Sequence, residues 1–141
     1  YNVIHLCGKG NIDESYAGTE HYVQFDYIKQ ELADLLALAD IVVSRAGANA
    51  ICELLALRKP SVLIPLSLAA SRGDQILNAQ SFEKHGYAKM LQEEDLSNDT
   101  LLAAIDEVYN NHDHYIKAME LSTKSDAITM ICDMLDELAG K

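Results

Sequence analysis

The sequence predicts an α/β fold, a parallel sheet flanked by helices. Short β-branched runs alternate with segments of helical periodicity from one end of the chain to the other. Two of the runs, "IVVS" at 41–44 and "SVLIPL" at 61–66, are almost continuously apolar, as strands covered on both faces of a parallel sheet must be. Each is followed by a turn of small residues and then a helix, the order that right-handed crossovers between parallel strands require.

Taken in order, "NVIHLCG" is a β-rich run closed by glycine and predicts a strand over Val3–Leu6, with His5 packed among apolar neighbours. "KGNIDESYAGTE" is polar and turn-rich, a loop, and "HYVQF" is a second short strand. In "IKQELADLLALAD", Ile28, Leu32, Leu35, Leu36 and Leu38 recur at near-helical spacing. After "IVVS", the segment "NAICELLALRK" places Ile51, Leu54, Leu55 and Leu57 on one side of a helix, which Pro60 is expected to end. "SVLIPL" is the fourth strand, "SLAASRGDQ" a loop, and "QILNAQSFEKHG" a helix with Gly86 as its C′ residue. "YAKML" is a fifth strand. "SNDTLLAAIDEVYNN" opens on a Ser/Asp cap region and carries Leu101, Leu102, Ile105 and Val108. "HYIKAMELS" and "DAITMICDMLDELA" are two further helices. His112 and His114 fall in the polar stretch expected to join them to what precedes, and Ser125 and Asp126 are cap and first-turn residues for the last helix.

At 141 residues with no internal repeat, low-complexity segment or linker, the chain suits one domain. Eleven basic against 22 acidic residues give a net charge of −11, which opposes a nucleic-acid footprint and charge-driven docking on an anionic membrane. Glu93, Glu94 and Asp95 read as a solvated acidic face, so replacing Glu93 by alanine is expected to matter little. Cys7, Cys52 and Cys132 are odd in number, far apart and without a C-x-x-C, which argues against a disulfide framework or zinc site and for a reducing cytosol. No apolar run has the ~18 residues needed to span a bilayer, and "YNVIHLCGKG" lacks the features of a signal peptide. The chain starts almost directly on a strand, and we read it as a piece of something longer.

In an open parallel sheet, ligands bind at the carboxyl ends of the strands. Three strand-to-helix turns compete for that role. "CGKGN" is the weakest, being neither a dinucleotide fingerprint nor a P-loop. In "SRAGANA", Gly47 permits a positive φ or a close backbone approach, and Ala46, Ala48 and Ala50 leave the first helical turn almost without bulk. The unpaired amides of a bare helix start suit phosphate. Glu53, about a turn further on, can accept from the two hydroxyls of a ribose, so that together these groups describe a nucleoside diphosphate site. The alternative is a turn kept small for packing, with Glu53 favoured by the helix dipole. In "SRGDQILNA", Asp74 and Gln75 suit the hydroxyls of a hexose, and Asn78 can fix the loop. The alternative there is a helix capped by Asp74 with Gln75 exposed.

These motifs in combination resemble the bacterial peptidoglycan N-acetylglucosaminyltransferases that form lipid II, in glycosyltransferase family 28. The family pattern R-x-G-A-x-T-x-x-E is met at 45–53 except at its Thr, x-P-x-x-x-x-P at 59–65, H/D-Q-x-x-N-A at 74–79 and G-x-A at 86–88. "VIHLCGKGN" resembles the preceding strand and loop, "SDAITMICDML" the closing helix, and "SRGDQILNA" the form found in Gram-positive bacteria. The resemblance implies the C-terminal half of a two-domain GT-B fold. Residues 1–141 would then be a single Rossmann-like domain for the donor, with its first strand and a Gly-rich turn lying upstream of Tyr1 and the acceptor-binding domain absent. It implies UDP-N-acetylglucosamine as ligand, with Glu53 on the ribose and the amides of Ala48, Asn49 and Ala50 beside Gly47 on the diphosphate. Asp74 and Gln75 would meet the sugar, and Tyr27 and Ile28 would lie near the uracil. Arg45 belongs to the pattern and either touches ligand or braces the turn. Ala50 stands where the family often has Thr, so one hydroxyl contact to phosphate is lost.

The implied parent enzyme moves N-acetylglucosamine from UDP to the 4-hydroxyl of the muramoyl sugar of lipid I, inverting the anomeric carbon. Helix amides would serve the leaving group, with no metal or cofactor. The catalytic base, the lipid I acceptor and any membrane contact would belong to the other domain, so the parent would be cytoplasmic and peripheral on the inner face of the membrane, and this chain alone inactive. Two other readings stay open: the short subunit of a split N-acetylglucosaminyltransferase, and a non-catalytic Rossmann-like interaction module.

Overall fold

A computed structural model of the chain describes residues 1–29 and 31–122. The helix expected over 126–139, with Ser125 and Asp126, lies outside the described residues. The chain divides into two compact units, Tyr1–Ala39 and Asp40–Lys141.

In the first unit, β1 (Val3–Leu6) pairs in parallel with β2 (Tyr22–Phe25), from Val3 opposite Tyr22 to Leu6 opposite Phe25. The polar loop between them is clamped by one β2 side chain. Gln24 Oε1 accepts from the Asp13 amide at 3.1 Å, and its Nε2 donates to the Asp13 carbonyl at 2.9 Å. No described residue of this unit is buried, because a two-stranded sheet and one short helix have too little apolar surface for a core. His5 is therefore not packed as expected. It is exposed, with Nδ1 2.7 Å from the Tyr22 hydroxyl. The helix α1 (Leu32–Leu38) is shorter than the apolar spacing over 28–40 implies, and no side chain caps its start to hold an earlier turn.

In the second unit, β3 (Val42–Ser44), α2 (Ala48–Ala56), β4 (Ser61–Leu63), α3 (Asp74–Lys84), β5 (Ala88–Met90) and α4 (Asn98–Asn110) alternate, and α5 (His112–Leu121) follows α4. The sheet order is β3-β4-β5, all parallel. The central strand β4 is buried throughout. Val62 and Ile64 pack with Ala104 and Val108 of α4 and Tyr115 and Met119 of α5 to form the core. Fully burying an aliphatic side chain of this kind contributes about 1.5–3 kcal/mol. Val43 departs from the expectation of burial on both faces, at 44% exposed, because β3 is an edge strand of this sheet.

The helix ends also correct the sequence reading. α2 is closed before Pro60 is reached. Arg58 takes a left-handed φ of 51° and donates to Leu55 O at 3.1 Å, while Lys59 donates to Leu54 O at 2.9 Å, the bond pair of a Schellman cap. α3 ends the same way at Gly86, φ +73°, with the Tyr87 ring edge-on to Phe82 at 5.6 Å. α4 starts in a capping box of Ser97 and Thr100. His112 and His114 are in the first turn of α5 rather than in a loop. Asn111 serves as the C-cap of α4 and the N-cap of α5, which leaves no connection between the helices.

The two Schellman caps give a paired test by urea unfolding. A Cβ at Gly86 would meet Ala118 Cβ at 3.5 Å and His114 Nε2 at 3.7 Å, ordinary contacts. Gly86→Ala is thus expected to cost only the left-handed conformation, about 1 kcal/mol. Arg58→Gly should stabilise by about 0.5–1 kcal/mol by relieving the same conformation. It also removes a half-exposed ion pair to Glu120, 3.8 Å long, which is worth little.

Candidate ligand-binding site

The register brings the carboxyl ends of the three strands level, with Ser44 opposite Leu63 and Leu63 opposite Met90. The turns leaving β3 and β4 therefore emerge side by side. Asn78 of α3 ties them together, its Nδ2 donating to the Ala46 carbonyl at 3.0 Å. The side chain expected to fix its own loop fixes the neighbouring turn instead.

The start of α2 is bare for a reason that packing does not supply. Gly47 is the N-cap, with φ −67° and ψ 145°. It does not use the left-handed freedom for which the sequence reading held it a candidate. Nor would a Cβ there meet any atom within 4 Å among the described residues. Ala48 and Asn49 are exposed, and no side chain caps the helix. The first-turn amides of Ala48, Asn49 and Ala50 have no partner within the helix. Ala46 differs, being fully buried, so its small size answers to packing. Glu53 is exposed on α2 one turn further on. The bland alternative for this stretch, a turn kept small for packing, accounts for Ala46 and not for Gly47 or Ala48.

On the next turn, Gly73 occupies the N-cap of α3 in the left-handed region at φ 87°, which a side chain would resist. Asp74 is then the first helical residue, exposed, and not the cap. Gln75 is half-buried rather than exposed, and its Oε1 accepts from the Leu66 amide at 3.2 Å. Tyr27 and Ile28 belong to the first unit, on the segment after β2. Tyr27 is exposed, with Lys29 Nζ 5.7 Å from its ring centre.

Arg45 braces the turn. Its Nη1 donates to the Ile64 carbonyl at 3.3 Å, and its Nη2 lies 2.7 Å from Glu93 Oε1. The second carboxylate oxygen, Glu93 Oε2, accepts from the Ser67 amide at 3.1 Å. Glu93 is thus tied to the turns after β3 and β4 and is not part of a solvated face, a tie that the sequence reading missed. The only local signal was its place just after β5, at the carboxyl end of a strand. The Arg45 guanidinium, and after it the Ser67 amide, hold the Glu93 carboxyl below the usual glutamate range.

The family model for the glycosyltransferase family 28 C-terminal domain matches residues 1–131. The UDP-N-acetylglucosamine--N-acetylmuramyl-(pentapeptide) pyrophosphoryl-undecaprenol N-acetylglucosamine transferase of Lachnoclostridium phytofermentans is 59% identical over 141 residues, which is 100% of this chain and 40% of that protein. The protein of the same name from Geobacillus kaustophilus is 60% identical over 139 residues, 99% of this chain and 39% of its own length. The chain thus spans about two fifths of these relatives. The crystal structure of Acinetobacter baumannii MurG superposes with a TM-score of 0.79 at 22% identity, over 96% of this chain and 41% of that one. Parallel sheets flanked by helices, Rossmann-like, agree with the expected C-terminal half of a GT-B glycosyltransferase, though the strands form two sheets and not one.

The Arg45–Glu93 contact sets a testable acid response. A carboxyl whose folded pKa is depressed adds stability that is present above its unfolded pKa and is lost as pH falls through the folded one. An NMR titration of the Glu93 carboxyl carbon is expected to show its inflection below the usual glutamate range. In Arg45→Ala the inflection should move up toward that range. An unchanged inflection would remove Arg45 as the main cause.

Proposed function

The chain belongs to the family of glycosyltransferase family 28 C-terminal domains, and from that premise we propose that it is the donor-binding domain of a hexosyltransferase that builds lipid II. The donor is UDP-N-acetylglucosamine, and residues 1–141 act as one donor domain. One observation above all supports this: an open helix start at Gly47 and Ala48 that no packing contact explains, beside a second turn carrying Asp74 and Gln75.

The chemistry is that of a leaving group. As the bond from the anomeric carbon to UDP breaks, negative charge grows on the diphosphate. The first amides of α2 face that charge with the positive end of the helix dipole, and they need no reorganisation to do so. Glu53 accepts from the two ribose hydroxyls and sets the nucleotide's direction. Asp74 takes a hydroxyl of the N-acetylglucosamine. The Gln75 carboxamide oxygen already serves the Leu66 amide, so its nitrogen is the group left for the sugar. The attacking hydroxyl of lipid I arrives on the face opposite UDP, which inverts the anomeric carbon. The base that receives its proton, the acceptor site and the contact with the inner face of the membrane belong to the part of the relatives outside this chain.

In the full-length protein, UDP is expected to shift the amide resonances of residues 47–53 and 74–75. Silence at millimolar UDP would sink the assignment. Glu53→Ala should weaken UDP affinity by about tenfold or more, the size of a lost pair of charge-assisted hydrogen bonds. Glu94→Ala, on an exposed side chain, should leave it unchanged. Ala50→Thr restores a hydroxyl at the start of α2 and is expected to tighten UDP binding by about 1 kcal/mol, roughly fivefold. Calorimetric titration reads all three variants.

A further inference from the structure

Both turns of the proposed donor site are held by one carboxylate. Glu93 lies on the 3-10 turn Glu93–Asp95 that follows β5. Its Oε1 meets Arg45, on the turn between β3 and α2, at 2.7 Å. Its Oε2 takes the amide of Ser67, on the loop between β4 and α3, at 3.1 Å. Arg45 reaches back with its other arm to the Ile64 carbonyl at the end of β4. Glu93 is itself fixed from behind. Leu91 donates to the Leu63 carbonyl at 3.0 Å, extending the sheet, and the Asp95 carbonyl accepts from Thr100 Oγ1 at 2.8 Å in the capping box of α4. Its position is therefore set by the sheet and α4, not by the two segments it holds.

Resting on the donor-binding reading above, we infer that Glu93 is a positioning residue for the donor. Acting through Arg45 and the Ser67 amide, it sets the spacing between the bare start of α2 and the Asp74–Gln75 turn. A nucleoside diphosphate sugar carries its diphosphate and its hexose at a fixed separation. Both turns engage it at once only if they are held in one geometry beforehand, and such preorganisation appears in affinity. Arg45 and Glu93 are 48% and 30% exposed in their side chains, so their loss opens no core cavity. Glutamine does not replace glutamate here. Both carboxylate oxygens accept, whereas a carboxamide has one acceptor and one donor end, and the two groups facing it are both donors.

The test is calorimetric titration of the full-length protein with UDP and with UDP-N-acetylglucosamine, with thermal unfolding run in parallel. The variants are Glu53→Ala, Glu93→Gln, Arg45→Ala and the double variant Glu93→Gln/Arg45→Ala. Glu93→Gln is expected to weaken both ligands about tenfold, while the unfolding temperature moves by no more than about 3 °C. The double variant should bind no more weakly than the weaker single one, since both changes break one brace. A merely structural role would lower the unfolding temperature and leave the affinity of the folded protein unchanged. Wild-type affinity in Glu93→Gln, or losses that multiply in the double variant, overturns the inference while the loss in Glu53→Ala still upholds the donor site. If the wild type binds neither ligand, or Glu53→Ala binds as the wild type does, the donor reading falls and the inference falls with it.

Discussion

The second unit depends on the pairing of β4 between β3 and β5. Three residues of β4, all buried, are hydrogen-bonded in parallel on both sides, and the register is level across the sheet. A one-residue slip would turn Val62 away from the α4 and α5 side chains it packs against. The same register makes the chain leave the sheet at one height three times. The turns to α2 and α3 and the 3-10 turn before α4 are consequently neighbours, although nothing in their own sequences directs them toward one another. The bonds from Asn78 to Ala46, Arg45 to Ile64 and Glu93 to Ser67 are then short-range closures of a proximity the sheet has already created.

Small residues around Gly47 answer to two different demands. Ala46 is fully buried and its carbonyl is taken by Asn78, so a larger side chain there would disturb the tie between the turns. Gly47 and Ala48 face open space. Their bareness leaves the first amides of α2 uncovered by any side-chain cap. The Arg45–Glu93 pair belongs to the same economy of geometry. A half-exposed ion pair contributes little to holding a fold together, and this one ties the turn after β3 to the loop after β4.

The strands and helices were legible because their signals are local. Apolar runs marked β3 and β4, and 3.6-residue spacing marked α2, α3 and α4, to within a few residues of the observed ends. The errors arose where a tertiary or conformational detail overrode the local signal. Arg58, not Pro60, ends α2, because the chain accepts a left-handed arginine that no propensity favours. His112 and His114 are helical because one asparagine serves two caps. His5 is exposed because its sheet has two strands among the described residues, too few to bury it. Of the proposed site, Gly47, Glu53, Asp74 and Gln75 are the residues that motif spacing singles out. Glu93 was read as one of three solvated acids, and nothing adjacent in sequence distinguishes it from Glu94.

The sequence by itself determined the order of elements, the parallel α/β class and the family, since each rests on periodicity or on motifs whose residues are close along the chain. Only the tertiary structure decided that Arg45 braces its turn, that Gln75 spends its oxygen on Leu66, and that Glu93 joins the two turns. The physical reason is separation: Arg45 and Glu93 lie 48 residues apart. A hydrogen bond over that distance exists only after the strands between them have paired.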